Sequence, residues 1–293
     1  MNLLQHIGNT PFVKLKNLID KPNVNVFAKL EGQNPGGSIK DRAALYMIEE
    51  AEKSEKLDKD KIILEATSGN MGISLAMVGA HKGYKVQIIM SAAMSEERKL
   101  MLRSLGARLT LTDPKLGTQG AIETARELVR RNPGRYWFAN QFNNPDNSTA
   151  HYYGIAKELL NDHPKIDYLF AGTGTSGTIM GIARRFKIKS PKTKIVNVIP
   201  PPGYKVQGIQ NPKEDFAGKI FNPTMIDEEF HVTVEEAYST SRKAAQKEGL
   251  FVGMSSGAIL YAALKTANKI KKGNVVVIIP DRGEKYLSTE LFT

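Results

Sequence analysis

Residues 61–90 read KIILEATSGNMGISLAMVGAHKGYKVQIIM, a strand–helix–strand pattern that points to a parallel α/β sheet. The run KIILEA at 61–66 predicts a buried strand. From Met71 the pattern becomes helical, and Gly83 supplies the stop. KVQIIM at 85–90 is the next strand. The alternation continues outward. Ser95, Glu96 and Glu97 open a helix that ends near Gly106, and ARLTLT (107–112) is a strand. GAIETARELVRR (120–131) is an amphipathic helix followed by YWFAN. IDYLFAG (166–172), KIVNVIP (194–200) and NVVVIIP (274–280) resume the series. The expected fold class is α/β, with mainly parallel sheets flanked by helices. No repeat, low-complexity run or Pro-rich linker divides the chain, so two interleaved domains are expected. Ligands in such folds bind at the C-terminal ends of the strands.

Composition narrows the function classes. The 293 residues include no Cys, which excludes disulfides, thiolate metal sites and a cysteine nucleophile. No metal site is expected. MNLLQHIGNTP lacks a basic start followed by an apolar run, and no stretch approaches the ~18 apolar residues of a membrane span. A cytoplasmic protein is expected. The net charge of +11 is spread rather than striped: KSEKLDKDK (53–61) alternates sign, and ARRFKIKSPKTK (183–194) reads as a helix end and loop. That argues for a solvated basic surface that attracts small anions, and against a nucleic-acid partner.

Four polar, Gly-rich segments carry the chemistry. In NPGGSIKDR (34–42), Pro35, Gly36 and Gly37 make a tight turn and Ser38 is an N-cap. Lys40 then sits in a first helical turn, where the helix dipole disfavours its charge by ~0.3–1 kcal/mol. A lowered pKa suits an amine that attacks an aldehyde. On this segment alone, a solvated helix-start lysine is the better reading. EATSGNMG (65–72) joins strand to helix and reads as an anion loop or an ordinary turn. AGTGTSGTIMG (171–181) also follows a strand and opens a helix; its small and hydroxyl residues favour a phosphate cradle, and no Walker lysine follows the last Gly. FVGMSSGA (251–258) reads as a further strand-to-helix junction at which Ser255 and Ser256 face a ligand or cap the helix.

Together these segments resemble one family: the fold-type II pyridoxal-phosphate (PLP) enzymes and, within it, the cysteine synthases. The resemblance runs from IGNTP (7–11) to GEKYLST (283–289). MSEERK (94–99), NQFNNPDN (140–147) and DRGEKYLST (281–289) are more similar to the B-type than the A-type synthases. The resemblance implies that Lys40 carries PLP as a Schiff base and takes the substrate Cα proton. It implies that Asn70 bonds the cofactor's 3′-oxygen, that Gly174, Thr175, Ser176, Gly177 and Thr178 cradle its phosphate, and that Ser255 meets the pyridine nitrogen. Thr67, Ser68, Asn70, Met71 and Gln141 are the implied holders of the substrate carboxylate. A smaller mobile domain, 34–139, is implied to close on a larger PLP-binding domain made of 1–33 plus 140–293. A homodimer acting on small molecules, an activated serine and sulfide, is also implied.

Two positions depart from the family pattern. Met71 stands where many relatives have Thr, which removes a hydroxyl from the carboxylate loop. Gln210 stands where B-type relatives often have Arg. Another β-replacement or elimination enzyme, a cystathionine β-synthase or a cysteine desulfhydrase, stays open. So does a non-catalytic binding protein of the PLP fold, against which Lys40, Asn70 and Ser255 argue.

Overall fold

A computed structural model describes residues 2–161, 165–214 and 218–292. The chain opens with β1 (Phe12–Lys14) and β2 (Val24–Leu30), then α1 (Lys40–Lys53). The stretch quoted first becomes β3 (Ile62–Ala66), α2 (Asn70–Lys82) and β4 (Lys85–Ser91). Gly83 ends α2 at φ 77, a conformation glycine adopts without strain. There follow α3 (Glu96–Ser104), β5 (Arg108–Thr112), α4 (Gly117–Arg131) and β6 (Tyr136–Phe138). The chain continues through α5 (Pro145–Tyr153), α6 (Ile155–Asn161), β7 (Tyr168–Gly172), α7 (Gly177–Lys189) and β8 (Lys194–Ile199). It ends with β9 (Glu228–His231), α8 (Val234–Glu248), α9 (Met254–Lys269) and β10 (Gly273–Ile279).

Two sheets result. One has the order β1-β2-β10-β7-β8-β9 and the other β5-β4-β3-β6. Every pairing is parallel except β1 with β2. In the larger sheet β10 lies between β2 and β7, with Val276 paired to Phe27 on one side and Leu169 on the other. Val275, Val276 and Val277 are fully buried, as central strands covered on both faces require. The smaller sheet is covered on one face by a cluster that includes Met47, Ile63, Leu75 and Ile88, and on the other by one that includes Leu64, Ile89 and Ala125. No helix among the described residues is long and apolar enough to cross a membrane.

Three local expectations need correction. Helix α1 opens at Lys40 with Ile39 at its cap position, and Ser38 Oγ accepts the Lys40 N–H at 3.3 Å. Ser38 itself is drawn into an antiparallel bridge with Asp281. No strand precedes α9: Val252 makes only an isolated bridge to Arg282, and Gly253 caps the helix without a side-chain bond, so Ser255 and Ser256 lie inside the first turn. Strands β1, β2 and β9 and helices α5 and α6 add to the elements expected from the sequence.

Candidate active site

The loops after β3, β7 and β10 meet around the start of α1. Gly37 N donates to Asn34 O at 2.8 Å, closing the expected turn, and Gly37 takes φ 78. Lys40 keeps some accessible surface, yet its ammonium is surrounded by protein. That burial lowers its pKa to about 8, against the opposing charge of Asp281. The direction matches the sequence expectation, but the cause is desolvation rather than the helix dipole.

Two residues on, Arg42 anchors the helix. Its guanidinium donates to Glu31 at 2.6 and 2.8 Å and to Glu158 at 2.5 and 2.9 Å. Lys29 joins Glu158 at 2.7 Å, and Thr10 Oγ1 donates to Glu31 at 2.6 Å. Burial alone would raise Glu158, but Arg42 and Lys29 hold it at about 2. The IGNTP segment closes on this network: Gly8 N donates to Asn34 Oδ1 at 2.8 Å and Asn9 N to Glu158 at 3.1 Å. Removing one partner would strand the others, a loss of roughly 3–5 kcal/mol.

The 67–70 loop faces this turn. Asn70 Nδ2 donates to Asp281 Oδ2 at 2.7 Å, and Lys285 Nζ donates to Asn70 Oδ1 at 2.9 Å and to Gly37 O at 3.1 Å. Tyr286 O–H donates to the same Asp281 oxygen at 2.6 Å. Asn70 thus joins the start of α2, the α1 turn and the loop after β10. Thr67 is buried and its Oγ1 accepts Gly69 N–H at 3.1 Å, while Ser68 is half-buried. Met71 is 1% exposed and belongs to the apolar cluster under α2. Its side chain therefore faces the core, and only its backbone N–H can face a ligand at the loop. Gln141 is buried beside the loop: its N–H donates to Glu65 Oε2 at 3.1 Å and its Nε2 to Ala66 O at 3.3 Å. Glu65 also accepts Ala66 N–H at 2.9 Å. Burial raises its pKa to about 8 despite hydrogen bonds from Gln141, Ala66 and Asn140.

The β7–α7 loop forms the opposite wall. Ser176 caps α7 at φ 69, and its Oγ is buried with no hydrogen-bond partner among the described residues. Asn147 Nδ2 donates to Thr175 Oγ1 at 2.9 Å and to Gln141 O at 2.7 Å, tying this loop to the previous one. A Cβ on Gly177 would meet Asn147 Oδ1 at 2.1 Å, and one on Gly174 would meet Gly208 O at 2.9 Å. Thr178 Oγ1 lies 3.3 Å from His151 Nε2. His151 is pushed well below its ordinary pKa, first by burial and then by the charges of Lys40 and Arg42. Ser255 is buried at the start of α9, 3.3 Å from where a Cβ on Gly208 would stand. Residues 172–177, GTGTSG, also have the G-x-G-x-x-G spacing of dinucleotide loops, so glycine spacing alone does not separate the two. The acid that would bind a ribose about 20 residues on is missing, since 194–204 reads KIVNVIPPPGY.

Sequence reasoning missed Arg42, Glu65, Asn147 and Lys285. Glu65 alone left a local signal, an acid inside an apolar strand run.

The family model described as pyridoxal-phosphate dependent enzyme matches residues 3–281. The chain belongs to that family: it is an α/β enzyme whose cofactor is pyridoxal phosphate. Within the family it stands with the cysteine synthases. It is 44% identical to the cysteine synthase of Aquifex aeolicus, over 99% of this chain and 92% of that protein. It is 41% identical to cysteine synthase B of Escherichia coli, over 99% and 95%. A solved O-ureido-L-serine synthase superposes with a TM-score of 0.93 at 34% identity, covering 99% of this chain and 94% of that one. The site fits the cofactor. An unpartnered, buried Ser176 hydroxyl at a helix N-terminus, between glycines whose Cβ would clash, suits a phosphate group.

Proposed function

We propose that the chain makes L-cysteine by replacing the acetoxy group of O-acetyl-L-serine with sulfide. The observation that carries this reading is the convergence of Lys40, the 67–70 loop, the 174–178 loop and Ser255 in a chain 41–44% identical to cysteine synthases. Pyridoxal phosphate, when bound, withdraws electrons from the substrate Cα and so eases departure of a group from Cβ.

The protein's own groups do the rest. Lys40, with a pKa of about 8, is neutral often enough to hold the cofactor and to take the Cα proton. The N–H groups and hydroxyls of Gly174, Thr175, Ser176, Gly177 and Thr178 receive the phosphate. Asn70 keeps the ring in register, and Ser255 offers its hydroxyl to the ring nitrogen. Thr67, Ser68, Asn70, the Met71 N–H and Gln141 hold the substrate carboxylate. Acetate leaves Cβ as the Cα proton moves to Lys40. Hydrosulfide bonds to Cβ, and the proton returns to Cα. Residues 34–139 close over the substrate and exclude water. A cytoplasmic homodimer completes the proposal and rests on the family resemblance.

An uncharged ester is the expected donor. Gln210 N–H donates to Thr173 O at 2.6 Å, and its uncharged side chain stands on the segment flanking the phosphate loop. Lys213 is drawn outward to Glu229 at 2.8 Å, and Lys205 is exposed. A phosphate leaving group of roughly −1.5 to −2 charge therefore finds no cation supplied by Lys205 or Lys213. The test supplies holoenzyme with O-acetylserine, O-phosphoserine or serine against sulfide, thiosulfate or homocysteine. Highest kcat/KM for O-acetylserine with sulfide is expected, with Gln210→Arg shifting the ratio towards O-phosphoserine. Preference for homocysteine would instead assign cystathionine synthesis, and preference for O-phosphoserine would overturn the donor.

A further inference from the structure

Arg98 is a buried cation that the mechanism above does not use. It sits on α3, is 3% exposed, and its Nε and Nη1 have no hydrogen-bond partner among the described residues. Its guanidinium carbon lies 4.6 Å from the centre of the Tyr286 ring, which satisfies one face of the group without neutralising it. The side chain is aimed at the start of α2. Its Cδ and Nε stand 2.6 Å from where a Cβ on Gly69 would be, and Gly69 caps α2 at φ 155. Helix α3 is held there from the other side, because Ser288 donates its N–H and Oγ to Glu97 at 2.9 and 2.7 Å. The MSEERK and YLST motifs thus meet, and what they hold in place is Arg98.

A buried charge without a counter-ion is costly, and a 13-residue helix adds positive potential at the same point. Asp281, the nearby acid, accepts from Asn70 and Tyr286 through Oδ2, and no ion pair joins it to Arg98 among the described residues. We propose that Arg98 is a positioning residue that makes the 67–71 loop select a carboxylate: it packs against Gly69 and lends the loop a fixed positive charge matched to the α-carboxylate of an amino-acid substrate. This rests on the proposed reading of the loop as the carboxylate site.

The experiment measures binding of L-alanine and of L-alaninamide to the PLP-loaded enzyme, from the change in cofactor absorbance. Neither ligand has a group to lose from Cβ, so turnover does not enter. Arg98→Met and Arg98→Gln should weaken L-alanine about 10- to 100-fold while changing L-alaninamide by less than about threefold. Arg98→Lys should keep most of the preference for the carboxylate. Equal weakening of both ligands, or of neither, would overturn the inference. So would a pair of neutral variants that fail to fold while Arg98→Lys folds, because the charge would then serve the fold. Wild-type protein that takes up no PLP, or takes it up and makes no cysteine, would count against the proposed function instead.

Discussion

Replacing Gly177 by Ala sets helix propensity against packing, and packing should win. Gly177 is the first residue of α7, where Ala is intrinsically better by up to ~1 kcal/mol. The added Cβ, however, would lie 2.1 Å from Asn147 Oδ1, 2.5 Å from its Cγ and 2.8 Å from its Nδ2. Asn147 is fully buried on α5 and cannot swing aside without releasing Gln141 O and Thr175 Oγ1. Two lost hydrogen bonds contribute about 1 kcal/mol each and overpacking a further 1–3 kcal/mol, against the ~1 kcal/mol gain. The expected net destabilisation is about 2–4 kcal/mol, with PLP bound at least about tenfold more weakly because Thr175 and Ser176 shift together. Denaturant titration of the apo-protein gives the first quantity and cofactor absorbance titration the second. Adding Asn147→Ala should relieve the clash and recover the overpacking part, but not the hydrogen bonds. A Gly177→Ala protein within about 0.5 kcal/mol of wild type with unchanged PLP affinity would show that Asn147 does not hold the loop against the added methyl.

Two titrations should report on buried groups. With its pKa near 8, Lys40 is neutral in roughly one molecule in ten at pH 7, against fewer than one in a thousand for an ordinary lysine. The rate of PLP uptake by apo-protein should therefore climb about tenfold per pH unit below 8 and level off above it; a rate still climbing at pH 10 would contradict the lowered pKa. Glu65, raised to about 8 by burial, keeps its proton in the folded state between about pH 4.5 and 8 while the unfolded chain loses it, so wild-type stability falls across that window. Glu65→Gln does not titrate, so its stability deficit should shrink as pH rises, by up to about 1.4 kcal/mol per unit, and a deficit independent of pH would show the carboxyl is already ionised.

Much of the site was legible because its residues cluster locally. PGGSIKDR, TSGNMG and the 171–181 loop each pack their chemistry into a few consecutive residues, and the strand–helix alternation around 61–90 places them at strand ends. What lay beyond local reading depends on distant pairing. Arg42 meets Glu31 and Glu158 across separations of 11 and 116 residues, and the three read in sequence as ordinary solvated charges. FVGMSSGA reads as a strand entering a helix because Phe251 and Val252 are good strand formers, but α8 ends at Glu248 with Gly249 as its cap and leaves room only for a bridge. Strand β2, VNVFAKL, alternates buried and half-buried positions only from Val24 to Ala28, and no helix precedes it to mark a crossover. The cause of the Lys40 shift was likewise invisible: a dipole can be inferred from a helix start, whereas burial needs the surrounding loops.

Borohydride reduction of the PLP-loaded enzyme followed by peptide mapping decides which lysine carries the cofactor. Lys285 is the instructive rival, since it is also buried, its pKa is also lowered by burial, and it too reaches Asn70. One modified peptide, containing Lys40, is expected, with no modification in Lys40→Ala. A reduced cofactor attached to Lys285, or one that persists on any lysine in Lys40→Ala, would contradict it.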